Sequence, residues 1–299
     1  MKENHRSIPT CPASGGLIRF QGHSTDLITW LGPAWACLCG VVASGGFGWQ
    51  TEAWLRLALL ILLVDGGWGT LWAALGSTDW ATPLLRWRDW RSGDPVTPPP
   101  YTLPGSPGDR ASRWLGQLRV WWRDVFWPAC GPAFSAIIVA LPVTALLGAL
   151  LGSELLLLSL GAFAVMQLGM IWEGGRGDVA PGWDGVVAVT LPHLAGHVAF
   201  GGEPTLCSAG LALTFALAWG AAWRAGSPWG RALGIGAQLL AAALLVALYH
   251  PLAAGLLLLL LAPQMVLLPH LRRGQPASWY ARYSRPWLMA AMLIAAWAL

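Results

Sequence analysis

Apolar runs near residues 27–48, 53–75, 129–151, 154–172, 185–200, 205–222, 232–249, 251–269 and 286–299 restrict this chain more than anything else in it. Most reach about the 20 residues that a helix needs to cross roughly 30 Å of hydrocarbon; the fifth and ninth runs are shorter. In lipid every backbone N–H and C=O must be paired inside the structure, and for runs of this length the helix does that. A soluble domain carries about a quarter charged residues, whereas 11% of these 299 residues are charged and 56% are apolar. The expected fold is all-α, a polytopic transmembrane helical bundle of about nine spans forming one membrane domain over 1–299.

Orientation follows from the basic residues, which collect in cytoplasmic loops. With the amino terminus cytoplasmic, the inner segments hold Lys2, Arg6, Arg19, the arginines between 86 and 123, Arg176, Arg224, Arg231, Arg272, Arg273, Arg282 and Arg285. Of the 18 Lys and Arg, only Arg56 falls at the outer mouth of a span, where it can snorkel to the interface. This predicts a bacterial inner (cytoplasmic) membrane protein whose first partner is the lipid bilayer. A formal charge of +4 is too small to suggest nucleic acid. No cleavable leader is evident, because residues 1–25 are polar. Five scattered cysteines lack metal-knuckle spacing, and Cys37 and Cys39 point to different sides of a helix.

The second run carries Asp65 among Gly66, Gly67, Trp68 and Gly69. A central Asp costs roughly 2.5–3.5 kcal/mol on insertion scales, so it usually faces a cavity or a partner. Nearby glycines weaken the helix and let another backbone come close, as in interrupted membrane helices. Asp65 is therefore a site candidate, with helix packing as the alternative reading.

The region 76–128 is the one extended cytoplasmic loop. Trp80, Trp87 and Trp90 alternate with Arg86, Arg88 and Arg91, a mixture suited to lipid headgroups. A Pro- and Gly-rich stretch over 92–108 predicts an extended loop. Residues 109–127 predict an amphipathic interfacial helix, with Trp114, Leu118, Trp121 and Val125 on one side and Arg113, Arg119 and Arg123 towards the other. It serves as an anchor on the inner leaflet or as a lid. Many of the 21 tryptophans, Trp219 and Trp223 among them, fall near span ends, where indoles anchor helices at the interface.

Two further groups could carry chemistry. The stretch from Glu173 to Asp184 includes Asp178, and its carboxylates could hold Mg²⁺ together with a bound phosphate. His193 and His197, four apart on one helical face, could ligate haem iron or the magnesium of a chlorophyll-type pigment, or form a proton relay. Gln264 in the eighth span predicts a helix-to-helix hydrogen bond, and Gly148 with Gly152 a small-residue packing pair.

The number of spans, the inner amino terminus and the long loop after the second span resemble the UbiA-type intramembrane prenyltransferases. Three stretches carry the resemblance: Ser77-Thr78-Asp79-Trp80-Ala81-Thr82 where that family has an Asp-rich motif, Leu103-Pro104-Gly105-Ser106, and the closing segment from Trp279 to Met289. The resemblance implies a cavity around Asp65 and Asp79 for an isoprenoid or quinone. If the chain is catalytic, it implies Mg²⁺ on Asp79 with Asp178 or Asp184, and Arg86, Arg88 or Arg224 on phosphate. The loop from Trp223 to Arg231 holds no carboxylate where the family has a second Asp-rich motif, so a divergent member that binds its ligand without transferring it is expected. Two other readings stand beside it. One is a pigment- or haem-associated subunit or assembly factor of a respiratory or photosynthetic membrane complex. The other is a transporter with Asp65 as coupling carboxylate, for which the sequence displays no second interrupted span.

Overall fold

A computed structural model of the chain describes residues 32–88, 102–172, 181–202 and 205–299. Among the described residues all regular structure is helical. In chain order the helices are α1 (Gly32–Ser44), α2 (Thr51–Gly76), the short α3 (Ala81–Leu85), α4 (Pro107–Leu151), α5 (Ser153–Trp172), α6 (181–199), α7 (Leu206–Trp223), α8 (Pro228–Ala247), α9 (Pro251–Arg272) and α10 (Ala277–Ala298). Six of them, α2, α4, α5, α7, α8 and α9, are long and apolar enough to cross a membrane. The remaining predicted spans are helical too. However, the described part of α1 has only 13 residues, and α10 carries Arg282 and Arg285 in its first half.

The predicted amphipathic helix forms as Pro107–Trp121 and then runs without a break, through a π segment at Trp122–Phe126, into the apolar stretch Trp127–Leu151. At 45 residues α4 is about 68 Å long, twice what the hydrocarbon needs, so its first half belongs outside it. Its start is built locally: Ser106 accepts the Asp109 N–H at 3.2 Å, and Pro107 occupies the first turn. The Gly105 N–H, at 2.8 Å, and the Arg113 guanidinium, at 2.7 Å, hold the Asp109 carboxyl below the usual carboxylate range. Segment 79–88 docks on α4 through an aromatic cluster, with Trp121 against Trp87 at 5.5 Å and against Phe126 at 5.2 Å. Two hydrogen bonds fix it there, from Trp121 to the Pro83 carbonyl (2.9 Å) and from Gln117 to the Trp87 carbonyl (3.2 Å).

At the opposite end α4 stops at Gly152, whose φ of +134° lets the chain turn directly into α5. Gly148 does pack as expected, on the α5 backbone at Leu156, whereas Gly152 serves the turn. Arg56 donates to the Leu151 carbonyl at 3.2 Å and closes this helix end.

Two apolar clusters fill the bundle. One joins α2, α4 and α5, the other α7 to α10, and both α1 and α6 contribute to each. α1 and α6 are therefore the central pair. They touch backbone to backbone: Gly40 lies against the His193 carbonyl and Gly196 against the Cys37 carbonyl, while Gly185 lies against the Ala216 carbonyl of α7. Only a residue without Cβ fits such contacts. α2 runs antiparallel to α6, since its first half meets Leu191–Ala199 while Trp72, near its other end, reaches Asp184. The expected bond of Gln264 is a reciprocal amide pair with Gln238, at 3.0 and 2.9 Å. Trp49, Trp172, Trp229 and Trp297 are exposed, whereas Trp68, Trp72, Trp121 and Trp219 are buried.

Candidate functional site

Asp65 lies near the middle of α2, in a π segment at Leu62–Trp68. The Gly69 N–H bonds the Val64 carbonyl, five residues back instead of four, so the helix is widened at that turn. The sequence explains why it can be. Gly66 and Gly67 follow the aspartate, and Gly67 is where Thr144 of α4 approaches. Trp68 anchors the far side of the turn, its indole donating to Ser159 of α5 at 3.3 Å. Within this frame Asp65 is only 3% exposed, and its Oδ1 receives no hydrogen bond from any described residue. A buried carboxyl oxygen without a donor is costly and needs an explanation.

α6 supplies the second feature. It runs without a break through a π segment at Val186–Thr190, where the Leu191 N–H bonds the Val186 carbonyl. Thr190 closes that segment, and its buried hydroxyl oxygen also lacks a partner among the described residues. Before the segment stands Asp184, half-buried, which accepts the Trp72 indole N–H at 3.3 Å and lies beside the Trp219 indole. Arg285 of α10 acts electrostatically on the same carboxylate. This arginine is 5% exposed, with its guanidinium 4.7 Å from the Trp219 ring and 5.0 Å from the Trp223 ring. Four helices, α2, α6, α7 and α10, thus meet in a polar centre of Asp184, Arg285 and indoles. Trp219 is one of its walls and not the interfacial anchor that its position near a span end suggests.

His193 and His197 are buried on α6, with ring centroids 6.5 Å apart. The His193 Nε2 shares a 3.0 Å hydrogen bond with Ser208 of α7. The cavity beside His193, lined by Leu211, Phe215 and Met292, holds about 10 Å³, and another near Gln238 and Tyr280 holds about 20 Å³. Each has room for about one water molecule.

Other predicted site residues are dispersed. Asp79 is exposed and caps α3, accepting the Thr82 N–H at 3.1 Å and the Thr82 hydroxyl at 2.6 Å. Arg86 is exposed on the turn after α3, and Arg224 is exposed at the end of α7, where its carbonyl accepts from Ser227. The Arg88 side chain and all of Asp178 lie outside the described residues. Among the described residues no three His, Cys, Asp or Glu side chains come together as a metal site. As a cap, Asp79 predicts a modest phenotype: Asp79→Ala costs about 1 kcal/mol, read as faster hydrogen exchange confined to 80–88. A stability loss that depends on added Mg²⁺ would instead make Asp79 a ligand.

The residues that sequence reasoning missed are Arg285, Thr190, Trp72 and Trp219. No protein family, curated protein or solved structure matches the chain.

Proposed function

We propose that this chain is a membrane transporter in which Asp65 is the coupling carboxylate. The observation that carries the reading is a carboxyl only 3% exposed in the middle of a membrane-length helix, with an oxygen to which no described residue donates. Carriers of this kind bind substrate and coupling ion near the bilayer midplane, between discontinuous helices. Here Asp65 stands in the π segment of α2, a turn widened without breaking the helix, and the antiparallel α6 carries a π segment of its own. A carboxyl held at this depth with an undonated oxygen is suited to exchanging a proton or a small cation as the helices rearrange. The isoprenoid-binding and pigment-binding readings rest on Asp79 and on the histidines. Asp79 is engaged by Thr82, and His193 by Ser208.

The reading includes nine crossings of a bacterial inner membrane with the amino terminus cytoplasmic. It is supported by the helices found at every predicted span and by the clustering of Arg86, Arg224 and Arg231 with the Trp72–Asp184 end of α2 and α6. In cells expressing the full chain, a panel of labelled solutes is screened for accumulation above the empty vector, with and without ionophores that collapse the proton or sodium gradient. At least one solute is expected to accumulate in a gradient-dependent way, and Asp65→Asn should return it to background at unchanged expression. Gradient-driven accumulation that survives in Asp65→Asn rejects the role of this carboxylate.

A further inference from the structure

We propose that the cavity between α7, α8, α9 and α10 binds the phosphate of an anionic phospholipid, with Arg231 and Tyr280 as its donors. The proposal goes beyond the transport reading and does not depend on Asp65. Arg231 and Tyr280 are each the fourth residue of their helices, α8 and α10, and both line this one cavity. Tyr280 is 8% exposed, and its hydroxyl has no hydrogen-bond partner among the described residues. A tyrosine hydroxyl buried this far normally has one. Arg231 is half-buried. Its Nη1 donates to the Ala225 and Gly226 carbonyls, at 3.2 and 3.4 Å, while its Nε and Nη2 make no bond to a described residue.

The rest of the lining decides what the missing partner is. The Gln238 and Gln264 amides bond each other and the Gly234 and Leu260 carbonyls, so their N–H groups are used. Ser284 donates to the Ala281 carbonyl. No carboxylate lines the cavity, and neither ion pair among the described residues includes Arg231. A guanidinium and a phenol remain, a set that suits an oxyanion and disfavours a cation. The cavity holds about 20 Å³, enough for one oxygen and not for a whole phosphate. The ligand is therefore held by one oxygen and stays mostly outside. Ala222, Gly234 and Ile235 of the lining are only half-buried, so the cavity opens at the side of the bundle between α7 and α8, both of membrane length. Trp223 and Trp229, exposed at the adjoining ends of these two helices, mark the headgroup level, where indoles collect. A basic pocket between membrane helices at that level suits a lipid phosphate, with the acyl chains lying along the helices.

The test is the thermal unfolding midpoint of the purified full-length protein in dodecyl maltoside at constant ionic strength. It is titrated separately with dioleoyl phosphatidylglycerol, dioleoyl phosphatidylcholine and inorganic phosphate. Phosphatidylglycerol alone should raise the midpoint saturably, as a ligand of the native state does. Arg231→Gln and the nearly isosteric Tyr280→Phe should each raise the half-saturating amount about tenfold, the worth of a hydrogen bond to a charged group. Arg273→Gln should leave it unchanged, since that arginine is exposed at the same end of the bundle and does not line the cavity. An equal response to phosphatidylcholine, or a phosphatidylglycerol response unchanged in Tyr280→Phe, overturns the site. A response to inorganic phosphate that both variants lose, with none to phosphatidylglycerol, places the source of the oxyanion in solution and overturns the lipid.

Discussion

Arg285→Ala is expected to destabilise the protein by about 2 kcal/mol or more, since a buried guanidinium loses the faces of two indoles. The guanidinium is 5% exposed and lies between two indoles, 4.7 Å from Trp219 and 5.0 Å from Trp223. Desolvated cation–π contacts of this kind contribute about 2 kcal/mol or more. Truncation also leaves Asp184 with its indole N–H donors but without the positive charge of Arg285. Arg285→Lys should fall between, because it keeps the charge but loses the flat face that stacks on both rings. The midpoint of thermal unfolding in one detergent ranks the variants. A double-mutant cycle with Asp184→Asn should be non-additive by about 0.5–3 kcal/mol, since residues in one network couple. Strict additivity would mean that the arginine is held by the indoles alone.

The sequence made Asp65 visible and left Arg285 hidden, for one physical reason. An acid inside an apolar run breaks a pattern, and its glycine neighbours announce a weak point in the helix; both are local. Arg285 stands just before the apolar run at 286–299 and reads as one more cytoplasmic arginine. It is buried because α10 begins at Ala277, so that Arg285 lies in its third turn and packs against α7. The same displacement brings Asp184 into a helix, since α6 starts at 181. Nothing in Val186-Val187-Ala188-Val189-Thr190 marks a π segment, for it has neither Gly nor Pro and reads as ordinary apolar helix or strand. Spans follow from composition, which the bilayer enforces on every segment separately. Partners across the bundle depend on which helices touch, and one chain's sequence does not contain that directly.

The largest loss is expected where the central helices touch. Gly196→Ala would place its Cβ against the Cys37 carbonyl oxygen and 2.9 Å from the Val41 nitrogen, and Gly40→Ala would meet the His193 carbonyl. These obstacles are backbone atoms of a neighbouring helix, which cannot rotate aside as a side-chain tip can. Overpacking a core by one or two carbons costs about 1–3 kcal/mol when side chains can adjust. With rigid backbone opposite, each substitution should cost 3 kcal/mol or more, of the order of a whole domain's margin, and show as a collapse of folded yield. Gly161→Ala and Gly210→Ala serve as controls, since nothing lies within 4 Å of the Cβ that either would add. They should be neutral or gain about 0.5–1 kcal/mol from the entropy that glycine loses on folding. Both clashes are relieved by the same separation of α1 from α6, so Gly40→Ala with Gly196→Ala should cost less than the two single losses combined. Similar behaviour of the central and control glycines would show that α1 and α6 are not in backbone contact.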